Sequence, residues 1–388
     1  MDISIFFEPY NSFVKSDDPF NQILGNSVIF PEKGEEPDYK KIDLAVIGIE
    51  DDTSAQNNKG CSKAPDEIRK YLYHLAKGSY NYQIIDFGNI KKGASKSDTE
   101  FAVTSAITHL LKNNITVLIL CGGQDFTYAN YRAYEKILTT VNIATIDPRF
   151  DLGEVDSDLN SQSYLSKIIL HQPNFLFNYA NIGFQTHHAD IKSIELMDKL
   201  FFDTLRLGQL REDTAYAEPL IRNADMVSLD ISAIRASDAP GNKNATPNGL
   251  FGEEACQLAR YAGMSDKVSS FGVYEVNPSI DKNGHTAHLA AQIFWYFIDG
   301  FYNRKKDTPS GNKKEHTIFR VHIAEPGHEI VFYKSNKTDR WWMDVPYPPD
   351  KRLKFERHHL VPCSYKDYQQ AMQNEMPDLW WKTFQKLS

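Results

Sequence analysis

The sequence predicts an α/β fold with a central, mostly parallel sheet between two layers of helices. Short apolar runs alternate with amphipathic stretches from about residue 42 to residue 302. Several runs are continuously apolar, as in strands buried on both faces, and such alternation is typical of parallel sheets. The composition of the chain then changes. We therefore expect an α/β domain over residues 1–305 and a C-terminal α+β extension over residues 306–388.

The predicted elements follow an N-terminal segment, residues 1 to about 40, that shows no long period and is expected to wrap the domain surface. Apolar runs predict strands at residues 42–49, 83–87, 115–120, 141–146, 175–182, 226–230 and 267–276. Helical periodicity, with Pro65 and acidic residues opening the first helix, predicts helices at residues 64–69, 98–112, 126–138, 191–202, 214–223, 252–262 and 285–301.

The extension begins with an exposed linker, residues 305–314, that is rich in lysine and small polar residues. Residues 318–323 and 329–333 are expected to be strands, and residues 365–384 an aromatic-rich helix. Four tryptophans are expected to anchor a small core or an interface: Trp341, Trp342, Trp380 and Trp381. We expect the extension to pack on the domain or to contact a protein partner.

The composition excludes several classes of function. A formal net charge of −8 disfavours nucleic acid and anionic membrane surfaces, because both bind basic faces. No apolar run is long enough to cross a membrane, and we expect a cytoplasmic protein. The four cysteines are far apart, without a Cys-x-x-Cys pair, which predicts neither disulfides nor a thiolate metal site.

Polar residues follow four of the predicted strands at their carboxyl ends, where doubly wound sheets bind their ligands. The four segments are Gly122-Gly123-Gln124-Asp125, Asp147-Pro148-Arg149-Phe150-Asp151, Asp230-Ile231-Ser232 and Tyr274-Glu275-Val276-Asn277-Pro278. Asp125 is expected to cap the helix that follows it. We expect the four strand ends to converge on one acidic pocket.

The identity, order and spacing of these motifs over residues 40–305 resemble the ureohydrolases, which include arginase, agmatinase and formimidoylglutamase. Further matching segments are Asn57-Asn58-x-Gly60, Ala64-Pro65-x-x-Ile68-Arg69, Asp86-Phe87-Gly88-Asn89-Ile90, and Asn181-Ile182-Gly183-Phe184-Gln185, which is most similar to formimidoylglutamases. The resemblance implies an arginase-like fold. In active members it also implies two Mn²⁺ ions that bridge a hydroxide for attack on an amidine or guanidine carbon.

The resemblance also implies six metal-ligand positions, and three of them carry other residue types here: Gln124, Arg149 and Ser232. Asp147, Asp151 and Asp230 remain, and Arg235 occupies a further acidic position. Three aspartates and two arginines sum to about −1 without metal, whereas two Mn²⁺ would leave an unfavourable positive charge. The sequence therefore predicts a degenerate metal site without cofactor, in which Arg149 and Arg235 pair with the aspartates.

Three further points about this pocket stay open. Gln124 and Ser232 carry oxygen atoms, so one hard ion such as Mg²⁺ is an alternative occupant. His187 and His188 point to opposite faces of an extended segment, so at most one reaches the pocket, and exposed loop histidines are favoured. Glu275 either binds an amidine or guanidinium group, as the resemblance implies, or fixes the turn after its strand.

These observations yield competing functions. The first is a pseudoenzyme that binds a small amino-acid-like ligand or acts as a scaffold; a homo-oligomer is also compatible with the resemblance. The alternative is an active formimidoylglutamase-like hydrolase of a non-peptide C–N bond, with Mn²⁺ as cofactor and Asp151, Asp230 and Glu275 as catalytic residues. A third is metal-free chemistry with Asp151 or Asp230 as general base.

Overall fold

The computed structural model describes residues 2–16, 22–138, 140–153, 158–310, 313–324 and 327–388, so parts of the predicted N-terminal segment and linker lie outside the described residues. The first domain is built on a ten-stranded sheet. Its strands are β1 (Phe7–Glu8), β2 (Val28–Ile29), β3 (Leu44–Ile49), β4 (Ile84–Ile90), β5 (Thr116–Cys121), β6 (Val141–Ile146), β7 (Leu176–Phe184), β8 (Asp203–Arg206), β9 (Met226–Asp230) and β10 (Ser270–Tyr274).

The main path of the sheet runs β1-β4-β3-β5-β10-β9-β6-β7-β8, and β2 also pairs with β4. Only β1 is antiparallel to its neighbour among the described pairings. The continuously apolar runs are central strands: every residue of β3, β5 and β6 is buried. Strands that are covered on both faces need apolar side chains throughout, which explains why these runs do not alternate with polar residues.

Helices cover both faces of this sheet, and each face has its own apolar cluster. The helices of the domain are α1 (Ala64–Leu72), α2 (Lys96–Lys112), α3 (Phe126–Tyr134), α4 (Tyr164–Leu170), α5 (Ile191–Lys199), α6 (Leu207–Glu212), α7 (Ala217–Arg222), α8 (Gly252–Met264) and α9 (His285–Tyr302). Residues of α1, α8 and α9 join one cluster, and residues of α2, α3 and α4 join the other. The predicted three-layer α/β fold is therefore confirmed.

Between residues 42 and 302, the sequence prediction missed three short elements, α4, β8 and α6, because segments of four to seven residues carry too few periods to recognise. It also predicted only surface wrapping, and no strands, for the N-terminal segment. Strands β1 and β2 both pair with β4, so this segment extends the edge of the sheet as well as covering it. No helix among the described residues is long and apolar enough to span a membrane.

The extension forms a second, antiparallel sheet in the order β11-β12-β13-β14. Its elements are β11 (His316–Ile323), β12 (His328–Ser335), β13 (Trp341–Asp344), α10 (Arg352–Phe355), β14 (Leu360–Cys363), α11 (Tyr365–Met372) and α12 (Asp378–Leu387). The single helix expected over residues 365–384 is wrong. The chain turns between α11 and α12, where Asn374 has a φ of 64° and Pro377 precedes α12.

The extension packs against the amino-terminal ends of β6, β7, β8 and β9. Arg357 pairs with Asp225, just before β9, at 2.5 Å. The His358 ring stacks on Phe177 of β7 with a centroid distance of 3.7 Å. Trp341, Trp342 and Trp380 are buried, while Trp381 is 43 % exposed. The carboxyl ends of the strands, where the polar motifs lie, are at the opposite end of the sheet.

Candidate active site

The predicted convergence of strand ends follows from the strand order. Strands β5, β10, β9 and β6 are consecutive neighbours and parallel, so their carboxyl ends lie side by side. Gln124 follows β5, Glu275 follows β10, Asp230 ends β9, and Asp147 follows β6. All four residues are buried. The sheet therefore gathers residues that are 151 positions apart in sequence into one site, as the contact between Gln124 and Glu275 shows.

Three aspartates form the centre of the site. Asp147, Asp151 and Asp230 are only 1 %, 7 % and 8 % exposed. Burial, with the charges of Asp151 and Asp230, raises the pKa of Asp147 well above its usual range. Burial raises the pKa of Asp151 to about 7, and Asp230 adds to that effect. Burial also raises the pKa of Asp230. The three carboxyl groups thus hold protons more tightly than ordinary aspartates do.

In two of these aspartates, Asp147 and Asp230, one carboxylate oxygen accepts a hydrogen bond from a nearby backbone N–H. The Arg149 N–H donates to Asp147 Oδ1 at 2.8 Å, and the Ser232 N–H donates to Asp230 Oδ1 at 2.6 Å. Asp147 Oδ2 is buried and has no hydrogen-bond partner among the described residues. Asp151 and Glu275 have φ angles of 49° and 65°. Such left-handed backbone is uncommon for residues other than glycine.

Glu275 is fixed by neighbouring polar groups. Its Oε2 accepts a hydrogen bond from Asn58 Nδ2 at 2.7 Å, and its Oε1 accepts one from the Gln124 N–H at 3.0 Å. Burial and the charge of Asp230 raise the pKa of Glu275 to about 8. Asn277 contacts the residue that holds this carboxylate. Its Nδ2 donates to Asn58 Oδ1 at 2.9 Å and to the Lys59 carbonyl at 3.0 Å. Asn277 therefore positions the loop around Asn58.

Several residues that contact this site were not among the predicted site residues, and they include Asn58, Tyr164 and Ser228. Asn58 belongs to the Asn-Asn-x-Gly motif, which was a signal in the sequence that we did not connect to Glu275. Tyr164 is fully buried at the start of α4, and its hydroxyl accepts from Gln124 Nε2 at 3.5 Å. Gln124 Nε2 also donates to Ser228 Oγ at 2.8 Å, while Gln124 Oε1 has no partner among the described residues.

The predicted ion pairs between arginines and the aspartates are wrong. Arg235 turns away from the site: its Nε contacts Asp238 at 2.8 Å, and its guanidinium lies 4.0 Å from the centre of the Phe251 ring. Asp238 is only three residues further along the same loop, so a local partner is available at little entropic cost. Arg149 lowers the pKa of Asp151 and Asp230 through its charge, but no carboxylate of the described residues forms an ion pair with it.

The structure contradicts the expected capping role of Asp125 and agrees with the exposed position expected for His187. Asp125 makes no capping hydrogen bond; it forms an ion pair with Lys96. His187 is exposed, as expected for a loop histidine, whereas His188 is half-buried. Burial lowers the pKa of His188, and the charge of Arg149 lowers it further. No group of three or more His, Cys, Asp or Glu side chains in the described part of the chain is arranged to hold a metal ion.

The charge of the site differs from the sequence estimate because Arg235 lies elsewhere and Glu275 lies within it. Four carboxylates and one guanidinium leave about −3 if all groups are ionised. Carboxylates packed together out of water either take up protons or require a cation. The side chains present do not fit two manganese ions, because the donors that the resemblance implies are replaced at Gln124, Arg149 and Ser232 and the remaining acids form no metal-binding group.

Comparison with known proteins is consistent with this fold and these motifs. Residues 42–299 match the model of the arginase family. The chain belongs to the arginase family. It is 26 % identical to a formimidoylglutamase from Geobacillus sp. (strain WCH70) over 278 residues, which is 68 % of this chain and 85 % of that protein. A formimidoylglutamase from Staphylococcus aureus (strain JH9) is 25 % identical over 268 residues, or 66 % and 85 %.

Solved structures of arginase-family proteins share the fold of this family member. Formimidoylglutamase from Bacillus subtilis has a TM-score of 0.67 and 18 % identity, covering 76 % of this chain and 96 % of that one. Trypanosoma cruzi formiminoglutamase with Mn²⁺ has a TM-score of 0.62 and 18 % identity, covering 69 % and 96 %. Both matches leave part of this arginase-family chain uncovered, whereas they cover almost all of the other proteins.

Proposed function

We propose that the carboxylate site binds the cationic amidine end of a small amino-acid derivative and hydrolyses a C–N bond outside a peptide. The excess of buried carboxylates over arginines carries this proposal. An amidinium group is planar and positively charged, so it supplies the charge that the site lacks and matches carboxylate oxygens in geometry. The similarity to formimidoylglutamases supports an N-formimidoyl amino acid as the substrate class.

In this proposal two of the four carboxylates have distinct tasks. Glu275, which Asn58 and the Gln124 N–H hold in place, binds the amidinium nitrogens. Asp151 accepts a proton from water as the water oxygen bonds to the amidine carbon. The bond from that carbon to the amino-acid nitrogen then breaks as the nitrogen takes this proton from Asp151. The hydroxyl proton passes to the released amine, so the products are formamide and the ammonium form of the amino acid. A base whose pKa is about 7 suits proton transfer at neutral pH.

The test measures hydrolysis of N-formimidoyl-L-glutamate by the purified protein, with formamide release as the readout. The protein is assayed as purified, after treatment with a chelator, and with added Mn²⁺. Asp151→Asn, which removes the proposed base, and Glu275→Gln should each lower kcat/KM about a hundredfold or more. Asp238→Asn is the matched control, because its carboxylate pairs with Arg235 outside the site. Absence of formamide from the wild-type protein under all three conditions would contradict the proposal.

The second candidate is binding without turnover, favoured by Gln124, Arg149 and Ser232 at positions where the resemblance implies metal ligands. Calorimetry would then detect binding of N-formimidoyl-L-glutamate while no formamide appears. The triple variant Gln124→His, Arg149→His and Ser232→Asp should gain manganese and turnover. Elemental analysis could instead find close to two manganese ions per wild-type chain, together with turnover. That result would contradict the second candidate. It would also contradict our proposal that the substrate's amidinium supplies the positive charge that the site lacks.

A further inference from the structure

A cleft of about 600 Å³ lies where the extension meets the first domain. One wall comes from the end of α7 and the segment before β10, and the other comes from the extension. Four basic side chains line this junction cleft: Arg222, Lys267, Arg340 and Arg357. The cleft lies near the amino-terminal ends of the strands, so it is separate from the carboxylate site at their carboxyl ends.

Three of the four basic side chains form ion pairs with carboxylates, and two of these three, Arg357 and Arg340, come from the extension. Arg357 pairs with Asp225 at 2.5 Å. Arg340 lies 3.4 Å from a carboxylate oxygen of Glu218 and 3.7 Å from one of Asp307. Arg340 and Arg357 join the extension to the domain, and their charges are largely neutralised by these carboxylates. They therefore form the walls of the cleft. The remaining donors are the Lys267 ammonium and the Nη1 of Arg222, whose Nε pairs with Glu218.

The ammonium group of Lys267 has no such partner. Its Nζ donates to Asn223 Oδ1 at 3.2 Å, and no described carboxylate forms an ion pair with it. The Lys267 side chain is half-buried. Burial lowers its pKa to about 8, and the charge of Asp225 only partly compensates. A partly buried ammonium without an anion is unfavourable. A bound anion removes that cost.

Arg222 supplies a second unsatisfied donor. Its Nε contacts Glu218 at 2.8 Å, and its Nη2 donates to the Trp341 carbonyl at 3.1 Å. Its Nη1 is buried and has no hydrogen-bond partner in the described part of the chain. The guanidinium lies 4.3 Å from the centre of the Trp342 ring, which fixes its plane. Unsatisfied buried donors are rare in folded proteins and indicate a missing partner.

The acidic residues at the cleft are already engaged. The carboxylate of Asp266 accepts the N–H groups of Lys306 and Asp307 at 3.3 and 3.1 Å. Glu356 pairs with Arg352 at 2.8 Å. These contacts leave the ammonium of Lys267 and the Nη1 of Arg222 as the groups that require an acceptor.

We infer that the junction cleft binds a small molecule through an oxyanion group, either phosphate or carboxylate, with Lys267 and Arg222 as donors. Ammonium and guanidinium groups both recognise such anions through charge-assisted hydrogen bonds. Because the cleft has walls from both parts of the chain, the ligand also holds the extension to the domain. This inference is independent of the proposed hydrolysis at the other end of the sheet.

The test is calorimetric titration of the full chain with inorganic phosphate and, separately, with succinate at constant ionic strength. Saturable binding of either probe is expected, and the probe that binds identifies the anion class. Lys267→Gln should weaken it about tenfold. Lys192→Gln is the matched control, because Lys192 is an exposed lysine of α5, and it should bind as the wild type does.

A second variant covers the case in which Lys267→Gln does not fold. Leu353 is 95 % exposed and lines the cleft, so Leu353→Glu places a negative charge there without disturbing the core. It should weaken anion binding, whereas Ile191→Glu, at another exposed apolar residue, should not. The inference is overturned if neither probe binds, or if a folded Lys267→Gln binds as tightly as the wild type.

Discussion

The buried acidic residues at the amino-terminal end of the main sheet and the aspartates of the candidate site at its carboxyl end have opposite electrostatic environments. At the amino-terminal end, Asp225 pairs with Arg357 at 2.5 Å and accepts the Asn142 N–H at 2.7 Å. Asp203 there accepts Asn178 Nδ2 at 2.9 Å and lies 3.8 Å from Lys382 Nζ. At the carboxyl end, by contrast, the aspartates face one another, with Arg149 as the nearby positive charge.

The paired acidic residues at the amino-terminal end stabilise the fold, whereas the unpaired aspartates of the candidate site are expected to serve function. The extension brings arginine and lysine to the amino-terminal end, so each of these acids contributes to folding. At the carboxyl end, nothing that the structure describes forms an ion pair with Asp147, Asp151 or Asp230. Proteins retain such unfavourable clusters where a site needs them. We therefore expect substitutions of acidic residues at the two ends to change stability in opposite directions.

The largest effect should come from breaking the ion pair between Asp225 and Arg357. Arg357→Met leaves the buried Asp225 carboxylate without its cation, and we expect the free energy of unfolding to fall by about 3 kcal/mol. Urea unfolding at pH 7.5 measures it. Arg320→Met removes an exposed pair with Glu329 and is the control, with about 0.5 kcal/mol or less. Equal effects of the two variants would contradict the importance of the junction.

The next effect is a pH dependence from the carboxylate site. Folding raises the pKa of Asp151 from 3.8 to about 7, so the folded state holds more protons between these values. The free energy of unfolding should therefore fall as pH rises through this window, by about 2 kcal/mol between pH 5 and 7. Urea unfolding in a chelator measures it. Asp151→Asn should abolish this contribution; an unchanged slope in that variant would be inconsistent with the assignment.

A smaller, stabilising effect should follow Asp147→Asn. The amide keeps an oxygen to accept the Arg149 N–H and removes one of the facing charges, so unfolding at pH 8 should require about 1 kcal/mol more. Asp203→Asn, at the opposite end of the sheet, should instead destabilise the protein because it weakens the contact with Lys382. The comparison between the two ends fails if both substitutions shift the urea midpoint in the same direction.

The smallest effect should come from Arg235→Gln. Its guanidinium pairs with Asp238 in a partly exposed loop, and such pairs contribute about 0 to 1 kcal/mol. We expect unchanged kcat/KM for N-formimidoyl-L-glutamate and little change in the urea midpoint. A large loss of activity would show that Arg235 acts in the carboxylate site despite its contact with Asp238.

Much of the fold was predictable from local pattern. Continuous apolar runs located β3, β5 and β6, since strands covered on both faces need no alternation. The break between α11 and α12 was not found, because the aromatic and helix-forming residues on either side of Asn374 and Pro377 suggested one continuous helix. Pairing of β1 and β2 with β4 depends on contacts between residues far apart in sequence, which periodicity does not report.

The candidate site was predictable in composition and less so in arrangement. Polar residues after parallel strands placed Gln124, Asp147, Asp230 and Glu275 together, because neighbouring carboxyl ends share one edge. The direction of Arg235 was not predictable, since its choice between the aspartates and Asp238 depends on loop geometry. Tyr164 belonged to an element that the sequence did not reveal, and Asn277 proved to support the loop around Asn58.

By itself, the sequence determined the layers of the sheet, the four polar strand ends and the three replacements at Gln124, Arg149 and Ser232. These features follow from residue type and short-range spacing. Only the tertiary structure decided that the extension packs at the amino-terminal end and that the carboxylates lack the charge of Arg235. Both depend on which distant groups come within a few ångströms of each other, and electrostatic interactions are strong only at that range.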